Sequence, residues 1–301
     1  MSEVTNVSKR KKKFAIGDAV IWMIVTLLTI ICLLPLLNTL AVSLSSSVMV
    51  AAGKVNFWPQ DFSWDAYQEI MKDKLFASSF LVSVKRVILG ASMNVLMMIL
   101  VAFPLSHTTR DFRARNYYMW FLMANMLFSG GLIPTYIVIS ELGLLDTIWA
   151  LTLPGAVSCW NCILLMNFFR SLPKTLEEAA LIDGAQPITV LTKVFLPLAL
   201  PGLATVTLFS VVGHWNDFFS GMIYMNHNYN YPLATYINTL VYSSKNLLEV
   251  TDPEELERLM KLSDSTVNSA KIIIAMIPIL VVYPFMQRYF VTGLVMGSVK
   301  E

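Results

Sequence analysis

Charge is the scarcest feature of this chain. Only 14% of its 301 residues are Asp, Glu, Lys or Arg, and 56% are apolar. Ordinary soluble domains carry about 25% charge, so a soluble globular domain is excluded. Cysteine is nearly as rare. Cys32, Cys159 and Cys162 all lie inside apolar segments, which excludes a disulfide scaffold. Cys159-Trp160-Asn161-Cys162 has redox or metal spacing, but no further Cys or His pair completes a site, so both thiols read as packing residues. The three histidines, His107, His214 and His227, have no catalytic partner nearby in sequence, and no paired carboxylates stand out. A G-x-x-x-x-G-K-[ST] phosphate cradle is absent, so any ATP-driven work must be done on another polypeptide. The expectation is a chain that is not an enzyme and holds no metal or cofactor. The net charge of +2 says nothing useful about partners, and no nucleic acid is expected among them.

Long apolar runs take up the space that charge leaves. The mean hydropathy is +0.62, and runs of about 18 or more apolar residues call for helices in a bilayer. The fold class predicted is all-α, a polytopic membrane protein of six transmembrane helices, with spans near 17–43, 76–106, 116–139, 147–169, 198–224 and 269–290. A basic tail, 1–16, precedes them and a short tail, 291–301, follows. The run 19–42 has no charged residue, which is longer than the roughly 7–15 residues of a signal-peptide core, so the first span reads as retained. Trp58 and Trp64, in the loop after it, suit a headgroup-level aromatic belt. Lys85-Arg86 near the outer end of the second span reads as a snorkelling pair, with a wet cavity as the alternative. The aromatic stretch 229–242 and an acidic helix over 252–261 lie in the longest loop.

Six spans place both termini on one side. Lys and Arg divide thirteen to nine in favour of that side, and the minority sits mostly in long loops that count less. Charge alone therefore puts both termini, and the polar stretch 171–197, in the cytoplasm.

That stretch is a charged island between two apolar segments. Thr175 followed by Glu178 has capping-box spacing, predicting a helix start there. Gly184 falls where a left-handed helix end is wanted, and Pro187 suits the first turn of a second helix. Leu176, Ala179 and Ala180 are expected to pack inward, leaving Glu177, Glu178 and Asp183 for a partner. The pattern Glu178-Ala179-Ala180, three residues, Gly184, nine residues, Val194, one residue, Leu196-Pro197 resembles the EAA signature of ABC-importer permeases. The family usually has Ile where Val194 stands. Asn161 to Gly184, the run His214-Trp215-Asn216-Asp217, and Tyr283 to Phe290 with Gly293 and Gly297-Ser298-Val299-Lys300 resemble carbohydrate-importer permeases. The similarity runs from the first span to the tail and is greatest for the short-tailed maltose-type permease, in its complex-oligosaccharide branch.

The resemblance implies a type I ABC importer permease fold in a bacterial cytoplasmic membrane. It implies a second homologous six-span permease and a dimer of ATP-binding subunits carrying ATP and Mg. It also implies a lipid-anchored or periplasmic solute-binding protein that delivers a sugar or oligosaccharide. Glu177, Glu178, Ala179, Ala180, Asp183, Gly184, Leu196 and Pro197 would then couple to the ATPase, and Gly297 and Lys300 would reach it from the tail. Trp215, Asn216 and Asp217 are candidates for the substrate pathway, since an acid in a span costs about 2.5–3.5 kcal/mol and usually faces a cavity or a partner. Bracing of the fifth span is the competing reading. Tyr231, Pro232 and Tyr236 are candidates for contact with the binding protein. Two alternatives stay open: an ABC permease for a non-sugar solute, and an ion-driven carrier, for which Asp217 and His214 are the available relay groups.

Overall fold

The computed structural model of the protein describes residues 16–245 and 265–298. Among the described residues there is no strand, only an isolated bridge between Ser45 and Phe62. The first helix, α1 (Ile16–Ser43), is apolar all round and contains Pro35. Its side chains are mostly exposed until its C-terminal end, where Ala41, Ser43 and the following Ser45 become buried. That is the surface expected of a helix whose solvent is hydrocarbon or other helices. The polar loop that follows holds two short helices, α2 (Ser47–Ala51) and α3 (Asp65–Lys72).

The hub is α4 (Lys74–Ser106), whose 33 residues reach about 50 Å at 1.5 Å per residue. Asp73 caps its first turn, accepting from Leu75 N at 3.0 Å and Phe76 N at 3.1 Å. The middle of the chain is broken more often than the hydropathy suggests. Segment 116–139 is two helices, α5 (Arg115–Leu127) and α6 (Leu132–Glu141), bent by 110°. Gly131 at φ +85 supplies the left-handed residue at that bend. Segment 147–169 is α7 (Ile148–Thr152) and α8 (Cys159–Ser171), interrupted around Pro154-Gly155. Then come α9 (Lys174–Ile182), α10 (Pro187–Val190), one π turn over Leu191–Phe195, and α11 (Leu196–Leu198). An 83° bend leads into α12 (Leu200–Asn216), and α13 (Phe219–Tyr224) follows a second break. In the described part of the longest loop, a 3-10 turn (Asn228–Asn230) precedes α14 (Leu233–Lys245). The last helix, α15 (Ser265–Ser298), continues well past residue 290, through most of the expected tail. The expected acidic helix over 252–261 and the tail residue Lys300 lie outside the described residues.

Among the described residues, three helices are long and apolar enough to cross a membrane, or up to five if each bent pair counts as one span. Neither half of the fourth expected span is long enough alone. The bundle is tied together by α4, which packs on α12, α8, α14 and α7. One apolar core joins Met98, Ala102 and Leu105 of α4 to Cys162, Leu165 and Phe169 of α8 at the island end. A second, towards the other end, joins Phe76 to Trp215, Leu233, Tyr236 and Ala270.

Candidate functional site

At the island, Gly184 has φ +78, the left-handed conformation that its position in the signature suggested, and Pro187 opens α10. The capping box does not form. The N-cap is Pro173, and Thr175 is already inside the helix, so its hydroxyl cannot reach back to an orphan N–H. The inward face is also smaller than expected. No residue of α9 is fully buried, and of the three expected to pack inward only Ala180 rests on the core, with Leu176 and Ala179 exposed. Glu178, Leu181, Ile182 and Ile188 form an exposed acidic and apolar surface, Ile182 being 86% exposed. Glu177 is not free: its Oε1 lies 2.7 Å from His107 Nε2 at the end of α4. Between α9 and the 107–115 loop opens a cleft of about 1140 Å³, lined by Arg110, Asp111, Arg115, Arg170, Lys174 and Glu178 among others. Arg115 Nε and Arg170 Nη2 both donate to Leu105 O at 3.1 Å, closing the carbonyl end of α4 with positive charge.

The second polar constellation lies inside the bundle. Arg86 does not snorkel: its side chain is 2% exposed and pairs with the Asp217 carboxylate, while Nη1 donates to Asp217 O at 2.8 Å. Lys85, its neighbour, is exposed. Asp217 sits in the break between α12 and α13 and accepts from Ser220 N at 3.1 Å. His214 Nε2 is 2.9 Å from Asn94 Oδ1, and Asn94 Nδ2 donates to Gly155 O and Ala156 O in the α7–α8 break. Polar side chains thus serve backbone groups that two interrupted helices leave open. Trp215 is buried, its indole N–H donating to Ala275 O at 3.0 Å. Of the three pathway candidates, only Asn216 is exposed, in line with Phe209 and Gly213 along one face of α12.

The family described as "Binding-protein-dependent transport system inner membrane component" matches residues 74–295. The chain belongs to this family. The permease is 37% identical over 283 residues to the "Polygalacturonan/rhamnogalacturonan transport system permease protein YtcP" of Bacillus subtilis (strain 168), covering 94% of this chain and 98% of that one. "Protein LplC" of the same organism is 38% identical over 270 residues, with 90% of each chain covered. Among solved structures, the permease matches "a bacterial ABC transporter involved in the import of the acidic polysaccharide alginate". The TM-score is 0.80 at 29% identity, covering 93% of this chain and 98% of that one. It is therefore a membrane-integral transporter subunit of type I ABC importer permease fold, not an enzyme; ATP hydrolysis belongs to a separate subunit.

The remaining candidates lie at the end of the bundle away from the island. Pro232 and Tyr236 are buried, and Tyr231 is half-buried. Tyr236 Oη donates to Asp73 Oδ2 at 2.7 Å, and the buried Lys271 ammonium reaches the same oxygen at 2.7 Å. Burial alone would raise the Asp73 carboxyl, but these two donors and the Phe76 N–H hold it below the ordinary value. The exposed part of this loop is earlier, at Asn226, His227, Asn228 and Tyr229. It is fastened by Asp146, which accepts from Asn226 N at 3.1 Å and His227 N at 3.3 Å. Sequence reasoning missed Arg86, His107, Asp73, Lys271 and Asp146 as paired groups, because each partner lies 70 to 198 residues away. The one available signal was their charge inside or beside apolar segments.

Proposed function

We propose that this permease carries an acidic oligosaccharide inward and that α9–α10 is its coupling element. The observation that carries the coupling reading is the exposed surface of Glu178, Leu181, Ile182 and Ile188, held out from the bundle beside the left-handed Gly184. A partner burying that surface gains apolar area and gives Glu178 a cationic group to meet. ATP and Mg bind the partner ATPase and none is held here. Closure of the ATPase pair drives the spans between inward-open and outward-open arrangements, a packed two-state change. Both termini and α9 lie in the cytoplasm, and the tail residues Gly297 and Lys300 also contact the ATPase. A solute-binding protein meets the outer surface at the exposed Asn226 to Tyr229 rather than at the buried Pro232 and Tyr236.

Two relatives support the cargo class: a polygalacturonan/rhamnogalacturonan permease, and an importer of the acidic polysaccharide alginate. Lys85, an exposed cation on α4 beside the exposed Leu81 and Ile88, suits a uronate, and Asn216 is a polar side chain open on α12. Asp217 and His214, the groups an ion-driven relay would need, are engaged by Arg86 and Asn94. The test is to reconstitute the permease with its partner permease, ATPase and binding protein, and to follow trigalacturonate and maltotriose uptake. Import of trigalacturonate alone, abolished by Glu178→Lys with loss of bound ATPase, is expected. Preference for maltotriose would overturn the cargo, and full activity of Glu178→Lys would overturn the coupling assignment.

A further inference from the structure

The coupling helix has few attachments to the spans. On α9 no side chain is fully buried, and Ala180 rests against the core with one methyl. The strongest polar tie between α9 and the bundle is Glu177 to His107, at 2.7 Å. Both side chains are mostly enclosed, 21% and 18% exposed. The imidazole is itself fixed. It packs edge-on to Phe103 at 4.8 Å and stacks on Phe195 of the π turn at 6.1 Å. Its Nδ1 lies 2.8 Å from Phe103 O. Both ring nitrogens therefore face oxygens that only accept, so both contacts are hydrogen bonds when each nitrogen carries a proton. Glu177 lies in the first turn of α9, where the helix dipole favours its charge.

We propose that His107 is a positioning residue through which displacement of α9 reaches α4. This rests on the reading of α9 as the ATPase-docking helix. His107 ends α4, and Arg86, 21 positions earlier on the same rod, grips Asp217 at the break between α12 and α13. At 1.5 Å per residue the two contacts are about 30 Å apart along one continuous helix. A push on Glu177 is thus delivered to the end of α4 and passed by it to the joint of the fifth segment. Without the tie, α9 would follow the ATPase while α4 stayed behind. An exposed, weakly anchored helix needs such a strut, and a deeply packed one would not.

Hydrogen exchange on the full importer in nanodiscs, with and without ATP plus vanadate, tests this without any cargo. In the wild type, trapping is expected to change exchange in α9–α10, at the first turn of α4 and in 217–224. In His107→Phe, which keeps the ring packing, and in Glu177→Ala, which leaves that packing untouched, the change is expected to stay on α9–α10 and be lost from α4 and 217–224. The double variant should lose no more than either single one, and His107→Gln, which retains a donor, should restore transmission. If α9 responds and α4 still follows in both single variants, the strut is overturned. A wild-type α9 that shows no response to trapping would instead refute the coupling reading beneath it.

Discussion

Separating Arg86 from Asp217 offers the most demanding test of the intramembrane architecture. The guanidinium is 2% exposed, and its described acceptors are the Asp217 carboxylate, Asp217 O and Leu151 O. Asp217→Leu removes the countercharge and leaves a cation enclosed in a low-dielectric interior, the situation that costs about 3–5 kcal/mol in soluble proteins. Arg86→Met strands the acid instead, but Asp217 is 32% exposed, so water screens it and the loss should fall at the lower end of that range. Replacing both, Arg86→Met with Asp217→Leu, removes two desolvated charges together and should recover most of either loss. Chemical denaturation of the purified permease in mixed micelles, followed by tryptophan fluorescence, gives the four stabilities of a double-mutant cycle. A coupling of at least about 2 kcal/mol is expected for partners in direct contact. Additive losses would refute the claim that the pair braces the break. So would a stable Asp217→Leu variant that had lost only uptake, which would return Asp217 to the cargo pathway.

Other expectations concern the turn, the close contacts and the loop held by Asp146. Gly184→Ala meets open space and strains only the backbone, costing about 1–2 kcal/mol. Gly184→Pro cannot reach φ +78 at all and should stop the ATPase from co-purifying. A Cβ on Gly90 would lie 2.5 Å from the His214 ring, so Gly90→Ala should displace it from Asn94 and cost about 1–3 kcal/mol, read as a lower unfolding midpoint. Burial by itself would raise the Asp146 carboxyl, but the Asn230 side chain, two backbone N–H groups and the His227 ring hold it below its ordinary value. A depressed folded value means that its contribution is complete above the ordinary carboxylate range and is lost as pH falls through the folded value. Protection of the Asn226 and His227 amides from exchange should therefore weaken below about pH 4 and be absent at all pH in Asp146→Ala.

Much of the function was legible locally, because the signature is a local object. Glu178-Ala179-Ala180 and Gly184 sit within one turn and its cap, and a left-handed glycine is a property of a few consecutive residues. Composition fixed the membrane class in the same way, since hydrocarbon imposes its demand on each stretch of about twenty residues independently. The breaks were harder to read. Pro154-Gly155, Gly130-Gly131 and Asp217 lie inside runs that hydropathy averages into single spans. Whether such a residue merely bends a helix or ends it depends on which distant donors and acceptors take up the freed backbone groups.

The polar partners were not legible for the same reason. Nothing near Lys271 in sequence announces Asp73, and nothing near His107 announces Glu177; the fold brings them within 2.7 Å across 198 and 70 residues. Tyr236 and Pro232 showed the converse failure, since aromatic residues in a polar loop read as a surface until α14 tucked them under it. Sequence alone determined what kind of molecule this is, because that depends on local chemistry and on the solvent around each segment. Tertiary structure alone decided which charges are struts and which remain open to a ligand, because a charge in a membrane is defined by its partner, and partners are chosen by packing.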